Sequence, residues 1–201
     1  MTGREHGDSL AWMEEGTRVL LGVLDGLPDD ALDAATELPS WSRRHVVAHV
    51  HYNAEALRRL ASWARTGTPS PMYASREQRD EEIEAGSRLP AAELRALVHG
   101  SAEALAEDLR ELPDDAWKNE VVTAQGRTVP ATEIPWMRTR EVWIHAIDLN
   151  AGVGFDDLPP GLVRALIDDI VTKRVASGQG PELVRWLAGR AGSAPDLGPW
   201  L

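Results

Sequence analysis

Three of the six histidines fall in one short stretch, HVVAHVHYNAEAL at residues 45–57, and a fourth lies in TREVWIHAIDLNAG at 139–152. A residue advances roughly 100° around a helix axis, so spacing decides which of these side chains share a face. His49 lies three after Val46 and four before Asn53, on the apolar stripe of its segment; His45 is one turn earlier, near the start of the helix, and His51 points away toward solvent. Glu141 and His145 are four apart and project from one face, with Asp148 close behind. The apolar neighbours Met137, Val142, Trp143, Ile144, Ile147 and Leu149 leave that helix little solvent-facing side. A carboxylate buried there needs a cation or a metal beside it.

Glu141 and His145 with His49 make two imidazoles and one carboxylate. Three N/O ligands of this kind suit a zinc ion with an open fourth position, and they equally describe a facial site for Fe(II). Asp148 is placed to hold an imidazole N–H or to serve as a further ligand, and His45 is the other candidate for a closed, four-ligand site. Plainer readings stand beside this one. An inward histidine is commonly a hydrogen-bonded core residue, a Glu–His pair at this spacing is commonly a helix-surface pair, and Arg138, Arg140 and Glu141 would also make an ion-pair cluster. Arg76, Arg79 and the acids after them read as a solvated helix face, and Met72 and Tyr73 as loop anchors.

These side chains need rigid elements to carry them. The spacing predicts helices over about 8–25, from near Ser42 to before Gly67, over 91–111 and over about 132–150, with Pro135 in the first turn of the last. A short hairpin is expected in NEVVTAQGRTVPATE, a short helix from Ser75 to Ala85 in the charged connection 68–89, and two further helices in PPGLVRALIDDIVTKRV and PELVRWLAGR. The string LPDDA occurs at 27–31 and again at 112–116, either as a common helix-start signal or as the trace of two related helix pairs. Both readings lead to an antiparallel four-helix bundle.

The chain has 201 residues, with 43% hydrophobic and 5% aromatic, eight Trp, one Phe and two Tyr. With many Ala and Leu, that composition points to a mainly α protein. A formal charge of −11 opposes binding to nucleic acid and to anionic lipid. No apolar run approaches the ~18 residues of a membrane span. MTGREHGDSL lacks the apolar segment of a signal peptide, so a cytoplasmic location is expected. Cysteine is absent, which excludes disulfides, thiolate metal ligands and a cysteine nucleophile of the chain's own. Any thiol chemistry has to bring its thiol from outside.

The stretch from Trp41 to Ser87, which contains HVVAHV and TPSPMY, resembles the mycothiol-dependent maleylpyruvate isomerases, as does 121–152 with TAQGRTVP and REVWIHAIDL. WLAGR at 186–190 and the closing PWL fit the same family. The resemblance implies a DinB-like four-helix bundle over 1–155 and a small C-terminal α/β region over 156–201. It implies zinc on His49, Glu141 and His145, mycothiol as the thiol cofactor, a small anionic substrate, and a catalytic Arg190 in WLAGR. The family's C-terminal region carries β-strands; VASGQGPELVRWLAGR joins its parts by only a short Gly-Pro turn, so a reduced α(/β) appendage is expected, its sheet shortened or absent. Asn53, one turn after His49, and Tyr73 are the candidates for cofactor contact. The activity implied is cis–trans isomerisation of maleylpyruvate to fumarylpyruvate. The alternatives are a mycothiol S-transferase on another electrophile and a non-enzymatic metal-binding helical module.

Overall fold

The computed structural model describes residues 4–198, so the closing PWL lies outside the described residues. Seven α-helices account for most of it: α1 (His6–Gly26), α2 (Arg43–Thr66), α3 (Arg76–Ser87), α4 (Ala91–Arg110), α5 (Ile134–Asp148), α6 (Pro160–Ala176) and α7 (Gly180–Leu187). A hairpin of β1 (Glu120–Val122) and β2 (Thr128–Pro130) stands between α4 and α5. The chain divides into two compact units, one spanning His6–Asp157 and the other formed by the terminal segments. No helix among the described residues is long and apolar enough to cross a membrane.

In the larger unit α1, α2, α4 and α5 form a four-helix bundle, with α3 laid along α2. The expected stripe of α2 is buried throughout, from Val46 and Val50 through Asn53, Leu57 and Leu60 to Ala64. In α4 the inward face is Leu94, Val98, Ser101, Leu105 and Leu109. α1 begins two residues earlier than its polar residues suggest, so Asp8 sits in the first turn, where it complements the helix dipole. Its buried line is Ser9, Met13, Gly16, Leu20 and Leu24, and Gly16 is the member that periodicity in apolar residues overlooks.

Gly16 is where α1 and α5 meet. A Cβ there would lie 2.5 Å from Trp143 Cδ1 and 2.7 Å from Val142 Cγ2, so only glycine permits the approach. The Trp143 indole N–H donates to the Trp12 carbonyl at 2.9 Å, and the Thr139 hydroxyl donates to the Ser9 carbonyl at 3.0 Å. α5 is therefore enclosed on most sides, with polar tips satisfied by backbone groups of α1. It starts after a 3-10 turn over Ala131–Glu133, with Pro135 at its beginning, where a missing N–H costs nothing. Beyond its end, Asn150 takes a left-handed conformation at φ 46°, and Arg43 of α2 donates to the carbonyls of Leu149 at 2.6 Å and Asn150 at 2.8 Å. That arginine ties the end of α5 to the start of α2 and satisfies carbonyls the helix leaves open.

The two LPDDA strings share a local geometry but start no α-helix. Each leads into a 3-10 turn, at Asp30–Asp33 and at Ala116–Lys118, with the alanine N–H donating to the proline carbonyl at 3.1 and 2.9 Å. The hairpin pairs Val121 with Val129 and turns through Gly126 at φ 75°. Its buried Val121 joins the bundle core.

In the smaller unit α6 packs on α7, and Arg174 donates to the carbonyls of Leu197 and Gly198, fastening the chain's end to α6. The described part of this unit contains no strand, in line with the reduced appendage expected from the short turn at Gly180–Pro181. α7 ends at Leu187, short of the span expected for it, because Gly189 adopts φ 69°.

Replacing Gly16 with Ala forces a methyl into the α1–α5 contact. The expected loss is about 1–3 kcal/mol, read as a lowered midpoint in denaturant unfolding with an unchanged slope.

Candidate metal centre

Bundle packing brings His49 of α2 against Glu141 and His145 of α5. His49 Nε2 lies 2.8 Å from Glu141 Oε2, and His145 Nε2 lies 3.2 Å from the same oxygen. The imidazoles meet edge to face, their centroids 4.8 Å apart. One donor atom from each residue falls within 4.8 Å of the other two, close enough to surround one cation. Both imidazole side chains are 7% exposed and the Glu141 side chain 15%, so the site is nearly dry and its remaining access is at the carboxylate.

Hydrogen bonds assign the protons. Asp148 Oδ2 lies 2.8 Å from His145 Nδ1, holding a proton on that nitrogen and turning Nε2 toward Glu141. Burial lowers the affinity of His145 for its proton, but the bonds to Asp148 and Glu141 outweigh it and push its pKa up to about 9. His49 moves the other way, since burial outweighs the attraction of Glu141 and keeps it neutral. Burial would raise Glu141, yet the two imidazoles hold it well below the ordinary carboxylate range. The result is a carboxylate flanked by two N–H donors that occupy the directions a cation would take. Two imidazoles and a carboxylate, one imidazole oriented from behind by an acid, fit a zinc-type site with an open position.

The proposed fourth ligands are elsewhere. Asp148 stands behind His145 rather than beside the cation position. His45 is spent on the α2 N-terminus, where its Nδ1 accepts from the Ser42 backbone N–H at 3.2 Å, while its Nε2 lies 3.1 Å from Glu84 of α3. Arg138, from the ion-pair alternative, has its hydrogen-bond partners on α2. Arg138, 1% exposed, donates to the Val50 carbonyl at 2.8 Å and to Asn53 Oδ1 at 2.9 Å. Burial pushes its pKa down to about 10, which leaves it charged at neutral pH one turn from Glu141.

Asn53 thus lies one turn beyond His49, buried, as the acceptor for Arg138. Tyr73 is drawn toward the triad from the segment before α3; burial and the nearby Glu141 charge raise its pKa to about 12, so its hydroxyl keeps its proton. Arg190 belongs to the other unit, exposed just past α7, with its guanidinium turned back on the Ala188 carbonyl. His51 is half-buried against α4 rather than solvent-facing, because α4 packs over that side of α2. Arg79, read as part of a solvated face, reaches the site: its Nη2 lies 3.3 Å from His49 Nδ1. The sequence carries a signal for this, since Arg79 shares a helix face with Ile83 and Gly86, both buried.

A family model described as the mycothiol maleylpyruvate isomerase N-terminal domain matches residues 13–150. The chain belongs to the mycothiol maleylpyruvate isomerase family. Two crystal structures of mycothiol-dependent maleylpyruvate isomerase share the fold. One is a histidine-to-alanine variant, 43% identical with a TM-score of 0.85, over 88% of this chain and 74% of that one. The other is 38% identical with a TM-score of 0.86, over 95% of this chain and 92% of that one. A search of curated proteins finds no match. The mainly helical, DinB-like architecture therefore holds for this family member.

Two outcomes follow from the proton assignments. A cation on His145 must displace its Nε2 proton, so zinc affinity measured by competition titration should fall about tenfold per pH unit as pH drops below about 9. Asp148→Asn removes the charge that orients His145 and should weaken zinc about 10- to 100-fold with the fold intact by circular dichroism.

Proposed function

We propose that the protein is a zinc- and mycothiol-dependent cis–trans isomerase that converts maleylpyruvate to fumarylpyruvate. The observation that carries the reading is the convergence of His49, Glu141 and His145 from α2 and α5, in a chain whose family and structural relatives are isomerases of this kind. Residues 1–155 are read as the metal-binding domain and 156–201 as a reduced C-terminal region. His49, Glu141 and His145 are the metal ligands in this reading.

A divalent cation held by His49, Glu141 and His145 would supply the positive charge that keeps an external thiol deprotonated, as the nucleophile of a reversible addition to the cis double bond has to be. The chain's own residues prepare that chemistry. Glu141 brings one negative charge between two neutral ligands, so a divalent cation there keeps a net positive charge that favours an anionic thiolate and a dianionic substrate. Asp148 fixes the tautomer of His145 and aims Nε2 at the cation position. Arg138 adds a buried positive charge beneath the site and locks α2 to α5 through Val50 and Asn53. The near-dry setting of the two imidazoles strengthens each of these charge effects. Asn53 and Tyr73 are read as the residues on the cofactor side. Arg190 is read, from the family pattern, as the catalytic arginine that binds a carboxylate or the charge developing on the keto oxygen. The absence of a cysteine makes an external thiol necessary for this route.

The lack of strand in the described part of 158–198 keeps one other outcome in view, transfer of mycothiol to an electrophile without its return. Product analysis separates the two. The zinc-loaded protein given maleylpyruvate and mycothiol should yield the trans isomer with thiol regenerated, and a stable thioether adduct would identify a transferase. His49→Ala should lose zinc and turnover together; a zinc-free variant with full activity would overturn the proposal.

A further inference from the structure

Arg79 is held against the centre by the packing of α3. Gly86, two turns further along the same face, lets α3 close on α2: a Cβ there would lie 2.9 Å from Ala48 Cβ and 3.0 Å from the Tyr52 ring. With the helices that near, Arg79 Nη2 comes to 3.3 Å from His49 Nδ1 and Nη1 donates to Asp80 at 2.8 Å, while the positive guanidinium acts on the nearby Tyr73 hydroxyl. The Arg79 side chain is 28% exposed, so the fork stands between the buried triad and solvent.

The His49 contact has a consequence for ligation. A guanidinium only donates, so His49 Nδ1 accepts and its single proton sits on Nε2, directed at Glu141. Ligation of a cation through Nε2 needs that proton on Nδ1 instead. An N–H would then face the N–H of Arg79, two donors with no acceptor between them. Ligation by His49 and the present Arg79 contact therefore exclude one another, and a loaded site releases Nη2. The freed Nη2 remains beside the Tyr73 hydroxyl, with Nη1 still on Asp80. A planar guanidinium with an adjoining hydroxyl is a donor set that matches a carboxylate.

We propose that Arg79, with the Tyr73 hydroxyl, forms a carboxylate-binding subsite beside the His49–Glu141–His145 centre, made available when His49 takes a metal. It rests on the proposed isomerase reading for its substrate, an anion with a carboxylate near the reacting carbons. The metal thus does two things: it fills the centre and it frees the arginine that receives the substrate.

The test uses the full chain and needs no turnover. Zinc affinity is measured by competition, and binding of succinate, an unreactive dicarboxylate, is measured by calorimetry on zinc-loaded and zinc-free protein. Wild type should bind succinate about tenfold or more tightly when loaded. Arg79→Met should bind zinc at least as tightly as wild type, because a competing contact is gone, yet bind succinate at least about tenfold more weakly in the loaded form. Arg79→Lys, which keeps the charge without the fork, should fall between. Equal succinate binding by wild type and Arg79→Met, no succinate binding by wild type, or loss of zinc in Arg79→Met would each overturn the subsite. If these binding results hold while maleylpyruvate is not isomerised, the reaction assignment fails and the subsite stands.

Discussion

A single buried carboxylate organises this molecule. Glu141 lies between two imidazoles from different helices, and burying its charge is tolerable only because both offer it an N–H. Everything around it follows from keeping those three groups together. α5 is surrounded by α1 and α2; its indole and threonine tips are satisfied by α1 backbone; its end is clasped by Arg43. One layer below, Arg138 reaches across to Val50 and Asn53, so the α2–α5 seam carries two successive polar contacts in an otherwise apolar core. A shift of either helix would leave buried charges unpaired, and this makes the seam specific as well as stable.

The same arrangement sets the electrostatics. His145 is held protonated by the acids on both of its nitrogens, while His49, buried beside a guanidinium, is neutral. Two histidines of the same unperturbed pKa are thus driven apart: burial prevails at His49, while the bonds to Asp148 and Glu141 outweigh it at His145. At the candidate centre one imidazole is therefore oriented from behind by an acid and the other faces a guanidinium. That asymmetry lies in the residues behind the two imidazoles, and in the proposed reading it would link metal loading to the freedom of Arg79.

Much of this was legible in the residue spacing. The i, i+4 pair of Glu141 and His145, and His49 on the stripe of Val46, Val50 and Asn53, reflect the helical period, so their placement on inward faces needed no tertiary information. Gly16 escaped that reading because a glycine adds nothing to apolar periodicity, yet it sets the α1–α5 distance by having no side chain. Arg79 escaped it because charged residues on a short helix read as solvated. Its neighbours Ile83 and Gly86 are too few to announce an inward face. His51 was misjudged for a related reason: the helical wheel shows which residues oppose His49 but not that α4 lies over them.

By itself the sequence determined the helices, their inward stripes, the shared face of Glu141 and His145, and the absence of a thiol of the chain's own. All of these depend on local spacing or on residue types that are present or absent. The tertiary structure decided which histidine completes the centre, that His45 serves the α2 terminus instead, that Asp148 stands behind His145, and that Arg79 rather than solvent meets His49. Those outcomes depend on how far apart helices distant in sequence come to rest. That distance is set by side-chain volume at contacts such as Gly16 and Gly86, which no local period encodes.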